Sequence, residues 1–178
     1  RQHMAPEPQS WIVHRHFGIG QIRCIEVKKI SGNLNWGLSY GTETDTYDPN
    51  DLGFLYNNNE QSYDLWIDYS IFKPKKGPFN RMNFGFYTGY NRLFNPNKFT
   101  EWGINMWAWV QTKSFWHINI RTYVEPLKGF DYFEPRFEGR FFETPTNASF
   151  GFNINSDRRR RIRLWLNGRY ATYGDPGR

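Results

Sequence analysis

A chain of 178 residues with a formal charge of +6 and a pI near 9.5 has the size of one domain, or of one piece of a larger one. Its aromatic content is 20% while its mean hydropathy is -0.79, and no run approaches the ~18–20 apolar residues of a membrane helix. A helical span is therefore excluded, as are an internal disulfide and a cysteine-based zinc cluster, since Cys24 is the single cysteine.

Alternating strands reconcile high aromatic content with low hydropathy, because every second residue is polar without interrupting an apolar face. A membrane barrel stays open for the same reason, as its hydropathy signal is weak. Residues 1–10, Arg-Gln-His-Met-Ala-Pro-Glu-Pro-Gln-Ser, contain no apolar signal segment and read as a flexible lead-in to a single unit over 11–178. The segment Trp11 to Lys29 is irregular and is expected to supply one or two strands.

From Asn33 onward the alternation is regular. Leu34, Trp36, Leu38 and Tyr40 oppose Asn33, Asn35, Gly37 and Ser39. Tyr63, Leu65, Ile67, Tyr69 and Ile71 oppose Asp64 and Asp68, and Met82, Phe84 and Phe86 oppose Asn83, Gly85, Gly89 and Asn91. Trp102, Ile104, Met106, Ala108 and Val110 share a face. Trp116, Ile118, Ile120 and Val124 oppose His117, Asn119, Arg121 and Tyr123. Three further strands are expected. Phe137 and Phe141 lie against Arg136, Glu138 and Arg140; Phe150, Phe152 and Ile154 against Ser149, Gly151, Asn153 and Asn155; and Ile162, Leu164 and Leu166 against Arg163, Trp165, Asn167 and Arg169. No window has a helical period, so the chain reads as all-β and antiparallel.

Long and short connections roughly alternate: Thr46 to Gln61 then Lys73 to Asn80, Phe94 to Phe99 then Thr112 to Ser114, Glu125 to Glu134 then Thr144 to Asn147. Up-and-down membrane barrels have this asymmetry. Opposite charges on polar faces suit a hydrated lumen. Trp36, Tyr40, Tyr63, Tyr69, Tyr90, Trp102, Trp116 and Tyr170 near strand ends suit interfacial girdles. Strands of about ten residues suit a tilted crossing. The fold expected is an antiparallel up-and-down transmembrane β-barrel, part of a larger barrel; the alternative is a soluble carbohydrate-binding β-sandwich with Trp platforms for sugars.

The run Tyr47, Asp48, Asn50, Asp51, Leu52, Gly53, Phe54 and Leu55, with Ile71 to Pro74 and Asn155 to Leu166, resembles a bacteroidete-type outer-membrane barrel domain of unknown function. That resemblance covers roughly Leu34 to the C-terminus. In that family the barrel commonly follows a domain similar to family-nine carbohydrate-binding modules. The resemblance implies a bacterial outer-membrane location and a non-enzymatic channel, transporter-associated or scaffold role. The end at Asp-Pro-Gly-Arg, without a terminal aromatic residue, reads as a fragment of a longer protein.

Catalytic chemistry is not legible. His117-Ile118-Asn119 lacks the nucleophile of a His-x-Ser strand, and His14 and His16 have ligand spacing without a third ligand. Glu101, Glu134, Glu138 and Glu143 stand in no recognisable glycosidase context, and no phosphate loop or nucleophile elbow occurs. No enzyme activity, metal or cofactor is expected. Exposing Leu52, Phe54 and Leu55 is unfavourable by about 1.5–3 kcal/mol each relative to burial. Tyr47 to Asn59 is therefore expected to be an ordered structural loop that narrows an opening or docks a neighbour. Arg158, Arg159, Arg160 and Arg161 are read as solvated or as contacts to lipid head groups, whose phosphates accept bidentate pairs. The partners expected are membrane lipid or lipopolysaccharide and other outer-membrane complex subunits, and not nucleic acid.

Overall fold

The computed structural model describes residues 11–17, 22–45, 58–72, 77–135, 137 and 139–174, with side chains from Cys24 onward. Residues 1–10, read as a lead-in, and the loop residues 46–57 lie outside the described residues. Eleven strands occur in chain order: β1 (Trp11–Phe17), β2 (Ile22–Lys29), β3 (Leu34–Glu43), β4 (Glu60–Ile71), β5 (Phe79–Leu93), β6 (Phe99–Thr112), β7 (His117–Glu125), β8 (Gly129–Asp131), β9 (Phe142–Thr144), β10 (Asn147–Asn155) and β11 (Trp165–Tyr173). Among the described residues there is no helix, and the irregular Trp11 to Lys29 segment does supply two strands.

Nine strands form one antiparallel sheet in the order β1-β2-β3-β4-β5-β6-β7-β10-β11, an up-and-down meander, while β8 and β9 pair separately. No β1–β11 pairing closes this sheet among the described residues. Because side chains alternate with period two, register fixes two continuous faces. One row runs Tyr40, Tyr63, Tyr90, Trp102, and another runs Trp36, Ile67, Phe86, Met106, Thr122, Phe150, Tyr170. The opposite face carries the row Asn35, Asp68, Gly85, Trp107, Arg121, Gly151, Arg169.

The apolar face has no cover. Leu93 is the only buried apolar side chain among the described residues, whereas Leu38 is 51% exposed and Ile25 46%. A soluble sandwich buries this face against a second sheet. The described strands contact mainly their sheet neighbours, and the small β8–β9 hairpin packs mainly on β6. A sandwich is not what these residues form.

Two expectations are corrected. The alternating Phe137 to Phe141 segment is not a strand of the sheet: only Phe142–Thr144 is extended, pairing with β8. Asp131 Oδ1 accepts the backbone N–H groups of Phe133 (2.9 Å) and Glu134 (3.1 Å), and Gly139 sits at φ +76, so local turn bonds displace the ladder. Arg136 and Glu138, expected to share a lumen-facing side with Arg140, lie outside the described residues. Likewise β11 starts at Trp165 rather than near Arg161. Ser156 and Leu164 close the preceding loop through Ser156 N–H to Leu164 O (2.9 Å) and Leu164 N–H to Ser156 Oγ (2.8 Å), which leaves Ile162, Arg163 and Leu164 outside the strand.

The loop asymmetry is increased at one end by 126–146 and reduced at the other by 156–164, which is longer than 94–98. Residues 44–59, 94–98 and 126–146 lie at one end of the sheet, and 30–33, 72–78, 113–116 and 156–164 at the other. Thr144 to Thr146 is thus no short turn of the sheet but the end of the 126–146 excursion, and Asn147 opens β10.

Candidate functional site

The polar face is a wall of fixed side chains. Asp64 accepts from Tyr87 Oη (2.6 Å) and Ser39 Oγ (3.3 Å). Asp68 accepts from Asn83 Nδ2 (2.5 Å) and Ser70 Oγ (2.8 Å). Glu101 accepts from Asn91 Nδ2 (2.7 Å), and Glu125 from Tyr123 Oη (2.5 Å). Each of these four carboxylates is satisfied by hydroxyl or amide donors rather than by a cation.

Large aromatic rings also stand on this face because glycines make room across the strand gap. Trp66 is the register partner of Gly37, and Trp107 of Gly85. A Cβ on Gly85 would lie 1.9 Å from Trp107 Cε2, and one on Gly37 2.4 Å from Trp66 Nε1. The rings thus occupy the volume that other side chains would need, a pairing that compensates for glycine in a strand. Trp107 Nε1 donates to Asn83 Oδ1 at 3.1 Å, which holds the indole.

Trp66, Tyr87, Asn105, Trp107 and Arg121 surround an open hollow of about 370 Å³, and Asn119, Arg121, Gly151 and Asn153 border a second of about 350 Å³. Arg121 separates the two. Trp66, Tyr87, Asn105 and Trp107 are not among the residues singled out by sequence. The signal that finds the two tryptophans is an aromatic ring in the polar phase of one strand opposite a glycine in the next.

The sequence-predicted loop residues Tyr47, Asp48, Asn50, Asp51, Leu52, Gly53, Phe54 and Leu55 lie outside the described residues, but the loop's two stems are clamped. Asn59, at φ +63, accepts the Asn95 N–H through Oδ1 (2.7 Å) and donates Nδ2 to Asn95 O (2.6 Å). Asn95 Nδ2 reaches Asp45 Oδ2 at 2.9 Å. Beside them an aromatic chain runs along the long-loop end: Tyr40–Tyr63 (5.1 Å between centroids), Tyr63–Tyr90 (6.2 Å), Tyr90–Phe99 (5.4 Å) and Phe99–Phe130 (6.3 Å).

Of the arginine run, Arg159 is engaged. It makes a forked bond to Asp157 (Nη2–Oδ2 2.8 Å, Nε–Oδ1 2.9 Å) and its guanidinium lies 3.8 Å from the Phe115 ring centroid. That bond holds the Asp157 carboxyl down at about 2. Arg158, Arg160 and Arg161 are exposed beside Ile162 and Leu164. His117 packs at 5.9 Å from Trp109 and approaches Gln111 at 3.3 Å. No cluster of three metal-ligating side chains occurs among the described residues. Glu143 pairs with Lys128 at 3.3 Å.

A family model described as a domain of unknown function, DUF5916, matches residues 9–178. The chain belongs to the DUF5916 family. No curated protein and no solved structure matches it. For a DUF5916 chain the described fold is thus an antiparallel all-β sheet with one apolar and one polar face, and the family match itself carries neither a membrane location nor a carbohydrate-binding neighbour.

Proposed function

We propose that this DUF5916 chain forms part of the wall of a transmembrane β-barrel in a bacterial outer membrane, as a channel, transporter-associated or scaffold component without enzymatic activity. The observation that carries this reading is the uncovered apolar face of a nine-stranded single layer. Exposed apolar patches beyond a few hundred Å² mark membrane or protein contact, and rows from Tyr63 to Ile71 span about 27 Å along the strand at ~3.4 Å per residue. That length, reduced by strand tilt, is of the order of the ~25 Å apolar band of such barrels.

Other features support the same orientation. The Tyr40–Tyr63–Tyr90–Phe99 chain suits an interfacial girdle. The polar face, with its bonded carboxylates and amides, suits an aqueous interior, and residues 44–59 and 126–146 suit the outer mouth. Arg158, Arg160 and Arg161 at the short-turn end suit phosphate head groups of membrane lipid or lipopolysaccharide, with Ile162 and Leu164 beside them. Unpaired strand edges are not tolerated in hydrocarbon, so β1 and β11 would meet further strands of a larger barrel or of partner subunits.

The test is single-cysteine labelling of the full chain in vesicles, on a Cys24→Ser background, with a membrane-impermeant maleimide. Cysteines at Asn105, Asn119 and Arg121 react, and cysteines at Leu65, Phe86 and Ile120 react only after the chain is unfolded in denaturant. Equal reaction of both sets in vesicles would sink the proposal.

A further inference from the structure

Arg121 stands on a wall with four carboxylates and is bonded to none of them. Asp64, Asp68, Glu101 and Glu125 are each occupied by a neutral donor, and Arg121 makes no hydrogen bond or ion pair to any described residue. It is exposed, with Trp107 and Gly151 as its two register partners. The glycine leaves its flank empty: a Cβ at Gly151 would meet only the Gly168 carbonyl at 3.7 Å. A planar, permanently charged fork with an open flank is a receptor for a carboxylate or phosphate.

What surrounds the fork narrows the ligand. On one side lies the hollow of about 370 Å³ bounded by Trp66, Tyr87, Asn105 and Trp107. On the other, Asn119 and Asn153 are register partners across β7 and β10, with Gly151 between them and the next residues of the wall. The indoles are held rather than loose, since Gly37 and Gly85 seat them and Asn83 fixes Trp107. Aromatic rings beside amides suit a molecule with an apolar face and a hydroxylated rim, and both hollows fall in the ~300–1,000 Å³ range of small-molecule sites. A free phosphate would satisfy the guanidinium and leave the rings and amides unused.

We propose that Arg121 anchors a binding site for an acidic saccharide. A ring carboxylate pairs with the guanidinium, the ring stacks in the hollow of Trp66 and Trp107, and hydroxyl groups meet Asn105, Asn119 and Asn153. This site goes beyond the barrel reading, and its binding readout does not depend on membrane insertion.

The experiment is calorimetric titration of the full chain in detergent with D-galacturonate, D-glucuronate, D-glucose and inorganic phosphate, with competition between phosphate and the uronates. The variants are Arg121→Gln, Trp66→Leu and, as a charge control away from the wall, Lys128→Gln. Saturable uronate binding is expected, weakened about tenfold or more by R121Q, weakened also by W66L, and unchanged by K128Q. Glucose should bind more weakly than either uronate, and salt should weaken uronate binding. Circular dichroism confirms that each variant keeps its sheet. Absence of saturable uronate binding, equal affinity for glucose, displacement by phosphate at equal affinity, or an equal loss in K128Q would each overturn the assignment.

Discussion

Replacing Gly85 by Ala tests how the polar wall is built. The new Cβ would sit 1.9, 2.0 and 2.4 Å from Cε2, Cζ2 and Nε1 of Trp107, so the indole must leave its position. Overpacking of this kind costs about 1–3 kcal/mol, and losing the 3.1 Å bond to Asn83 costs about 1 kcal/mol more. Restricting the unfolded chain returns about 0.4–1 kcal/mol. The net expectation is a loss of about 1–3.5 kcal/mol from these terms. Gly151→Ala is the matched control, because its Cβ meets only one carbonyl at 3.7 Å, and it should be neutral or stabilise slightly. Urea unfolding of the detergent-solubilised chain measures both, and in a Trp107→Ala background the difference between the two glycine variants should largely disappear. If G85A and G151A unfold within about 0.5 kcal/mol of each other with Trp107 present, the seating of indoles on glycines is not what organises the wall.

On the apolar face, Ile67→Arg should cost about 2–4 kcal/mol if the site is near a bilayer midplane, while Asn105→Arg on the polar face should cost little; equal losses in lipid-reconstituted unfolding would contradict the assigned faces. Asp157, held near 2 by Arg159, should titrate by carbon NMR well below the ordinary 3.8. Its folded pKa is depressed, so its stabilisation of the 156–164 loop is complete above the unfolded value and fades as pH falls from about 4 towards 2; a midpoint at 3.8 would show that the Arg159 fork is not formed. Asn59→Ala removes two bonds to Asn95 and leaves alanine at φ +63, which should speed hydrogen exchange at Phe94 and Asn95 by at least tenfold, at ~1.4 kcal/mol per factor of ten. Deleting residues 50–58 should alter conductance or partner retention while the sheet still assembles; unchanged values for both would remove any role for that loop.

Much of the meander was legible because its signal is local. In the strands from Leu34 to Ile71 apolar residues alternate with polar ones or glycine except at Trp66, and the resulting phases match the observed rows. Segments governed by side-chain-to-backbone bonds were not legible. Phe137 to Phe141 alternates well enough to read as a strand, yet the Asp131 turn and Gly139 override it. β8 and β9 are three residues each and pair across an intervening loop, too short to show a period. The candidate wall was half visible: Asp68, Asn119 and Arg121 fell on the polar phase, but Trp66 and Trp107 were not singled out. Only cross-strand register reveals that they rest on Gly37 and Gly85, and register is set by turns and partner strands rather than by any one segment.

The pairing of each strand with its chain neighbour also governs how the molecule can come into being. Contacts between segments joined by short turns require little loop closure, so the strands from β4 to β7 can pair in succession, whereas residues 44–59 separate β3 from β4. The step from β7 to β10 differs, because residues 126–146 intervene where 113–116 suffice between β6 and β7. On the logarithmic scaling of loop closure that detour costs about 1.5 kcal/mol more than the tight turn. The β10–β11 hairpin should therefore dock later than the pairs within β4 to β7. A ribosome or insertion machine delivering this chain from its N-terminal side would hold a growing edge at β7 until the second hairpin arrives.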